Sequence, residues 1–222
     1  MKGLCALAKF TGVYNEFKGL VSNYGLKWVD KSVDDMVIER LTKVADPDEL
    51  FDWIRTVKQA VSGYSGFMDL MAATGLRFEE AVNAWNLVID LSEKRRLGDY
   101  YKDSEQALEH FRFRQTFIRR TKKAFISFVS RDLVKQIQGA DHLTTNAILK
   151  RLGRRHLKRR FGDIRELHGS LLTRSHSECE INFLHGRVSS GVFMANYFNP
   201  AWISDLRART LTAANEILAK IS

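Results

Sequence analysis

Apolar residues recur at helical spacing through "LCALAKFTGVYNEFKGLVSNYGLKW", and Gly12 and Gly25 interrupt the pattern. "SVDDMVIERLTKV" repeats the spacing over a shorter run, with Ser32 placed as its cap. Asp46 before Pro47 disfavours helix ahead of the proline and suits a helix start on it, which marks a domain boundary. Beyond it, "DELFDWIRTVKQAVSG" predicts a helix closed by Gly63, and the pattern through "LVIDL" predicts two more that meet near Thr74-Gly75. Residues 93–103 read as a loop. The period then changes: Phe111 and Phe113 alternate with Arg112 and Arg114, and Phe125, Ile126, Phe128 and Val129 form a second β-prone run. The basic "RRTKK" between these runs reads as a hairpin turn or a ragged strand end. Helical spacing returns in "SRDLVKQIQ", capped by Ser130, and in one long basic stretch from Thr144 to Arg174. A last amphipathic helix follows Pro200, with an apolar stripe through Trp202, Leu206, Leu211 and Ile217. The expected fold is mainly α with a small antiparallel β-sheet, an α+β class. Residues 1–45 read as a helical remnant or linker and 46–222 as the main domain. No internal repeat and no low-complexity tract is present.

Composition narrows the partners. The 222 residues carry 35 Lys plus Arg against 26 Asp plus Glu, a formal charge of +9. Such a surplus points to a polyanion, nucleic acid before membrane, with a generally basic soluble protein as the plain alternative. Two Pro and 14 Gly argue against a disordered or fibrous chain. Cys5 and Cys179 do not form a disulfide framework, so a reducing cytoplasm is the expected compartment. No apolar run reaches the ~18 residues of a membrane span. Lys9 and Tyr14 interrupt the amino-terminal patch too early for a signal peptide.

Several chemistries lack their residues. The six His and two Cys have no zinc spacing, and neither a P-loop nor a dinucleotide glycine pattern occurs. Asp34-Asp35 and Glu79-Glu80 are adjacent acids of the kind that face solvent on a helix. No metal and no cofactor is expected. Arginines, a lysine and a tyrosine remain: cations for non-bridging phosphate oxygens, a proton donor for a leaving oxygen, and a phenol to attack. Arg77 follows Gly75 at the start of a helix, where its charge adds to the dipole and to free amides. Glu80, three residues on, shares its face and can orient the guanidinium; an ordinary surface pair is the plain alternative.

"TGLRFEEA" resembles the TGLR-x-x-E segment of the tyrosine recombinases, the phage-type integrase family. That resemblance implies an ordered series over roughly residues 46–200: a lysine on a β-hairpin, a second arginine, a His, Trp or Arg, then the tyrosine. "RRTKKAFISFV" supplies Lys122, with Lys123 as the alternative; "GDIRELHGS" supplies Arg165; "LHGRVSSGVFMANYF" supplies Arg187 and Tyr197. An arginine ten residues before the tyrosine is similar to the integrases of archaeal viruses and plasmids. Two departures stand out. Gly162 occupies the first position of the usual His-x-x-Arg motif, leaving His168, Lys158 or Arg160 as substitutes. About 45 residues precede the catalytic part, where the family carries a DNA-clamping domain.

The resemblance implies attack by Tyr197 on a phosphodiester and a 3′-phosphotyrosyl intermediate. Arg77, Arg165 and Arg187 would neutralise the transition state, Lys122 would act as general acid, and Glu80 and His168 would support them. Site-specific integration or excision on double-stranded DNA by a homotetramer is the implied activity. Gly191 and the serines before it would let the tyrosine segment move, and the last helix would pack on its own core or on a neighbouring protomer. "LKRLGRRHLKRR" places Lys150, Arg151, Arg154, Arg155, Lys158, Arg159 and Arg160 in twelve residues, a backbone-contacting DNA surface or a solvated helix face. A type IB-like topoisomerase and a non-catalytic basic DNA-binding module are the rival readings.

Overall fold

Gly12, at φ 80°, breaks the amino-terminal apolar pattern into α1 (Lys2–Phe10) and α2 (Tyr14–Asn23). Helix α3 (Val33–Thr42) begins with a reciprocal cap: the Asp35 N–H donates to the Ser32 hydroxyl at 3.0 Å, and the Ser32 N–H donates to the Asp35 carboxylate at 3.1 Å. The computed structural model describes residues 2–26, 32–42, 46–61, 63–119, 122–188 and 192–222. Lys27 and Trp28 of the first pattern, Lys43 and Val44 of the second, and Ser189, Ser190 and Gly191 before the tyrosine lie outside them. The chain falls into two compact units, Met1–Ala45 and Asp46–Ser222. In the first, Ala8 is buried while Leu4, Leu7, Phe10, Leu20, Ile38 and Leu41 are exposed.

The second unit opens on the helix start expected at Asp46-Pro47. The Asp46 carboxylate accepts the Asp48 N–H at 2.8 Å and Pro47 takes the first position of α4 (Pro47–Ala60). Helix α5 (Ser65–Thr74) is apolar nearly all round, with Phe67, Met68, Leu70, Met71, Ala72 and Ala73 buried. A helix with that pattern belongs inside a bundle. Accordingly α4, α6 (Phe78–Glu93), α8 (Arg131–Gln138), α10 (Gly162–Leu172) and α13 (Leu206–Lys220) all pack on it. Phe67 meets the Trp85 ring edge-on at 5.8 Å, and the buried side chains of α4, α5 and α6 join one continuous core.

The small sheet is antiparallel and three-stranded: β1 (Tyr101–Lys102), β2 (Ala107–Leu108) and β3 (Ser127–Phe128), with Tyr101 opposite Leu108 and Ala107 opposite Phe128. It lies partly outside the runs that alternation suggested. Residues 101–102 belong to a stretch read as loop, and the expected strand at Phe111–Arg114 is instead a 3-10 turn (His110–Phe113) followed by α7 (Arg114–Phe117). The cause is His110, which is fully buried between the Tyr100 hydroxyl (2.7 Å) and the Ser127 hydroxyl (2.9 Å). His110 and Phe117 pack inward on each other with tilted rings and centroids 4.5 Å apart, a contact that the Phe-Arg alternation masks. The hairpin persists just beyond: Ile118 bridges Lys123, and the Arg119 N–H donates to the Lys122 carbonyl at 2.9 Å. Its tip, Arg120 and Thr121, lies outside the described residues.

The long basic helix expected from Thr144 to Arg174 is two helices. Helix α9 (Thr145–Arg154) ends before His156, whose φ is 57°, and α10 starts at Gly162. Between them Leu157 turns toward the core and its carbonyl accepts the Trp53 indole N–H at 2.9 Å. Helices α11 (Glu178–Leu184) and α12 (Val192–Asn196) follow. The last helix, α13, seats on α5 and α10 of its own unit through Leu206, Ala213, Ala214 and Ile217. Trp202, expected in that stripe, is 84% exposed because the helix begins only at Leu206, after a 3-10 turn at Pro200–Trp202.

Candidate active site

Helix α5 ends at Gly75 in the left-handed conformation, φ 59°. A Cβ there would lie 2.8 Å from both the His168 Cγ and the His185 Nε2, so backbone and two imidazoles meet with no room for a side chain. Two residues on, Arg77 caps α6. Glu80 is buried, 1% exposed, and its carboxylate accepts the Arg77 N–H at 3.1 Å and the Arg77 guanidinium at 2.6 Å. The orienting role expected for Glu80 thus has its geometry. Of the adjacent acids expected to face solvent only Glu79 does, because Glu80 turns in to hold Arg77; Glu79 pairs with Arg119 of the hairpin at 3.0 and 3.2 Å.

Arg165 joins the pieces. Buried on α10 at 7% exposure, it donates one guanidinium nitrogen to the Gly75 carbonyl at 2.8 Å and another to the His185 carbonyl. Gly75 lies two residues before Arg77 and His185 two before Arg187, so one planar fork ties both arginine-bearing turns. Burial, then the Arg77 charge, lowers the Arg165 pKa to about 9, with Glu80 opposing and Arg187 adding to the shift. It stays cationic at neutral pH. Arg77 is bonded to the buried Glu80 carboxylate, and the charges of both Arg77 and Arg187 act on Arg165.

The hairpin closes on the same place. The Lys123 carbonyl accepts from the Arg77 guanidinium at 3.2 Å. A Cβ at Gly186, φ 59°, would overlap that same carbonyl outright, so backbone lies directly on backbone. Lys122 is exposed and Lys123 half-buried. Arg187 is exposed, and among the described residues its side chain has no ion pair.

Tyr197 is not bonded to this cluster among the described residues. It follows α12, is 71% exposed, and among the described residues no hydrogen bond links its hydroxyl to Arg77, Lys122, Arg165 or Arg187. Its neighbour Phe198 packs on Phe183 of α11 with centroids 5.8 Å apart, and Phe183 stacks on Phe125 beyond the hairpin at 6.2 Å. The other tyrosines of this unit, Tyr64, Tyr100 and Tyr101, are buried.

The structure draws His168 and His185 into the site's foundation. Their rings meet at 2.9 Å behind Arg165, and His168 also reaches the Ala73 carbonyl at 3.2 Å. Gly162 leaves its motif position empty: Arg160 is held by Asp163 and Glu166 at 2.6 Å each, and Lys158 is exposed. Of the basic stretch, Lys150, Arg154, Arg155 and Lys158 are exposed without ion pairs among the described residues. Arg151 lies over the Tyr64 ring at 5.5 Å, and Arg159 reaches the Glu49 carbonyl at 3.3 Å.

Sequence reasoning missed Arg119 and the close approach at Gly186, whereas His185 has the structural place that its sequence position beside Gly186 suggested. Arg119 and Glu79 are 40 residues apart, and nothing in either segment announces the pairing. Among the described residues no helix is long and apolar enough to cross a membrane, and no group of three or more His, Cys, Asp or Glu is placed to hold a metal ion. No family model, no curated protein and no solved structure matches the chain.

Proposed function

We propose that residues 46–222 break and rejoin DNA strands through a covalent phosphotyrosyl link, as a site-specific recombinase or integrase does. The Arg165 fork carries the reading, because it ties the turns that bear Arg77 and Arg187, with Arg77 bonded to a buried carboxylate. Such a cluster suits the non-bridging oxygens of a phosphodiester. The Tyr197 hydroxyl gives up its proton to solvent as its oxygen attacks phosphorus, and the bond to the 5′-oxygen breaks. Lys122 gives its proton to that leaving oxygen, and the 3′-phosphate stays on the tyrosine. A second 5′-hydroxyl reverses the step and reseals the strand. The exposure of Tyr197 suits a phenol that must reach DNA. Lys150, Arg154, Arg155 and Lys158 supply backbone affinity without sequence preference. Double-stranded DNA is the substrate and a homotetramer the working assembly.

The lack of any bond between the Tyr197 hydroxyl and the cluster among the described residues favours one rival, a basic DNA-binding module without catalysis. A nicked duplex that traps the covalent intermediate decides between them, offered as a pool of random-sequence sites with Tyr197→Phe alongside. An adduct that survives denaturation and vanishes in Tyr197→Phe is the expected result. DNA binding with no adduct on any duplex refutes strand transfer, and an adduct in Tyr197→Phe assigns the wrong tyrosine. Relaxation of a supercoiled plasmid without synapsis identifies the topoisomerase alternative.

A further inference from the structure

Strand transfer as described uses neither His168 nor His185, yet both imidazoles are almost fully buried directly behind Arg165, at 2% and 1% exposure. Their hydrogen bonds have only one consistent arrangement. The Ala73 carbonyl can only accept, so the His168 Nε2 at 3.2 Å carries a proton. In a neutral ring the His168 Nδ1 is then a bare acceptor, and the His185 Nε2 at 2.9 Å must donate to it. The His185 Nδ1 is left as an unprotonated lone pair, and it is a buried nitrogen without a partner. Donation thus runs one way, from His185 to His168 to the carbonyl of Ala73.

That carbonyl belongs to the last turn of α5, where carbonyls lack helical partners. His168 satisfies the Ala73 carbonyl and Arg165 the Gly75 carbonyl, while the His185 main chain takes the other arm of Arg165. Arg165 and His176 from α10 and the turn after it, Arg77 from the start of α6, and Arg187 beyond α11 are the charged or titratable groups that act on the pair. All are basic, so an added proton on either ring would be a further positive charge among arginines; the Glu80 carboxylate acts on Arg165 instead. Burial foremost, with Arg165 next among the charges, lowers His168 to about 4 and His185 to about 2.

We propose that His168 and His185 are positioning residues, a neutral one-directional imidazole pair that holds the end of α5 and the His185 turn at the spacing the Arg165 fork requires. The proposal builds on the reading of Arg165 as a phosphate-holding group. It differs from ordinary core packing in needing a particular tautomer and a donor at position 185.

Long-range proton–nitrogen correlation of the ¹⁵N-labelled full chain tests it, with His168→Gln and His185→Gln assigning the signals. Both rings are expected as Nε2–H tautomers with shifts constant between about pH 8 and pH 5. An Nδ1–H on either ring, or titration of either within that range, overturns the proposal. The second arm compares His185→Gln, whose amide N–H can replace the donor, with His185→Leu, which cannot. The Arg165 Nε–H signal should stay in place in the glutamine variant and shift in the leucine variant. Adduct formation should remain within about threefold of the parent in the first and fall about tenfold or more in the second. Equal behaviour of the two variants also overturns the proposal. If the parent forms no adduct, strand transfer fails on its own, and the tautomers and the Arg165 signal still decide the pair.

Discussion

Replacing Gly186 by alanine adds one methyl group where the hairpin meets the end of α11. Two costs follow. The left-handed conformation, φ 59°, costs a non-glycine residue about 1–2 kcal/mol. The new Cβ also overlaps the Lys123 carbonyl and lies 3.2 Å from the Ala124 nitrogen; these are backbone atoms with no rotamer to escape into. Ordinary carbon–oxygen contact requires the 122–124 segment to retreat by more than about 1 Å. Overpacking of that kind adds about 1–3 kcal/mol. The Lys123 carbonyl also accepts from Arg77 at 3.2 Å, so the retreat loosens that guanidinium and carries Lys122 away from it. Gly63 supplies the control: its φ is 88°, yet a Cβ there meets nothing within 4 Å. Urea unfolding followed by circular dichroism should place Gly63→Ala about 1–2 kcal/mol below the parent and Gly186→Ala about 2–5 below. Adduct formation should fail in Gly186→Ala and persist in Gly63→Ala. Equal destabilisation of the two would refute the argument that the hairpin backbone rests on Gly186.

Acid should unfold the chain well above the carboxylate range. Burial holds His110 at about 3, His168 at about 4 and His185 at about 2, against an ordinary value of 6.5, so the unfolded chain takes up these protons first. Their contribution is complete above pH 6.5 and is lost as pH falls toward those folded values, about 5 kcal/mol between pH 7.5 and 5. A urea midpoint that is flat across that interval counts against the buried neutral imidazoles. Lys58→Met should cost about 2–3 kcal/mol in thermal unfolding, since Lys58 holds the partly buried Asp69 at 2.7 Å and the Ile221 carbonyl at 2.9 Å. Pairing it with Asp69→Leu should restore part of the loss, and an unchanged melting temperature in the single variant would show that the clamp contributes nothing. Neutralising Lys150, Arg154 and Arg155 with glutamine should weaken binding to all duplexes alike and flatten the plot of log affinity against log salt by about 2–3. A change in sequence preference instead would mean that these side chains read bases.

Much of the helical framework was legible because its signals are local. Asp46-Pro47, Ser32, Ser130 and Gly75 terminate helices through bonds that span at most a few residues, and each stands where spacing placed it. Arg77 and Glu80 were readable as a pair for the same reason, lying three residues apart on one helical turn. Local pattern misled where burial overruled it. Phe111 and Phe113 alternate like a strand, but the buried His110 curls the chain into a 3-10 turn. Leu157 ends what reads as one long basic helix by turning into the core.

The chain's pattern of apolar positions, caps and charge was enough for most of the helices and the basic stretch, and the ordered set of arginines, lysine and tyrosine was read from a family resemblance. Folding alone brought Gly75, Lys123, Arg165 and His185 to one place, through bonds joining residues 20 to 90 positions apart. It also put Arg119 against Glu79 and left Tyr197 exposed. The physical reason is range. Capping and periodicity act within a turn or two of backbone, whereas a guanidinium between two carbonyls depends on how α5, α10 and α11 pack.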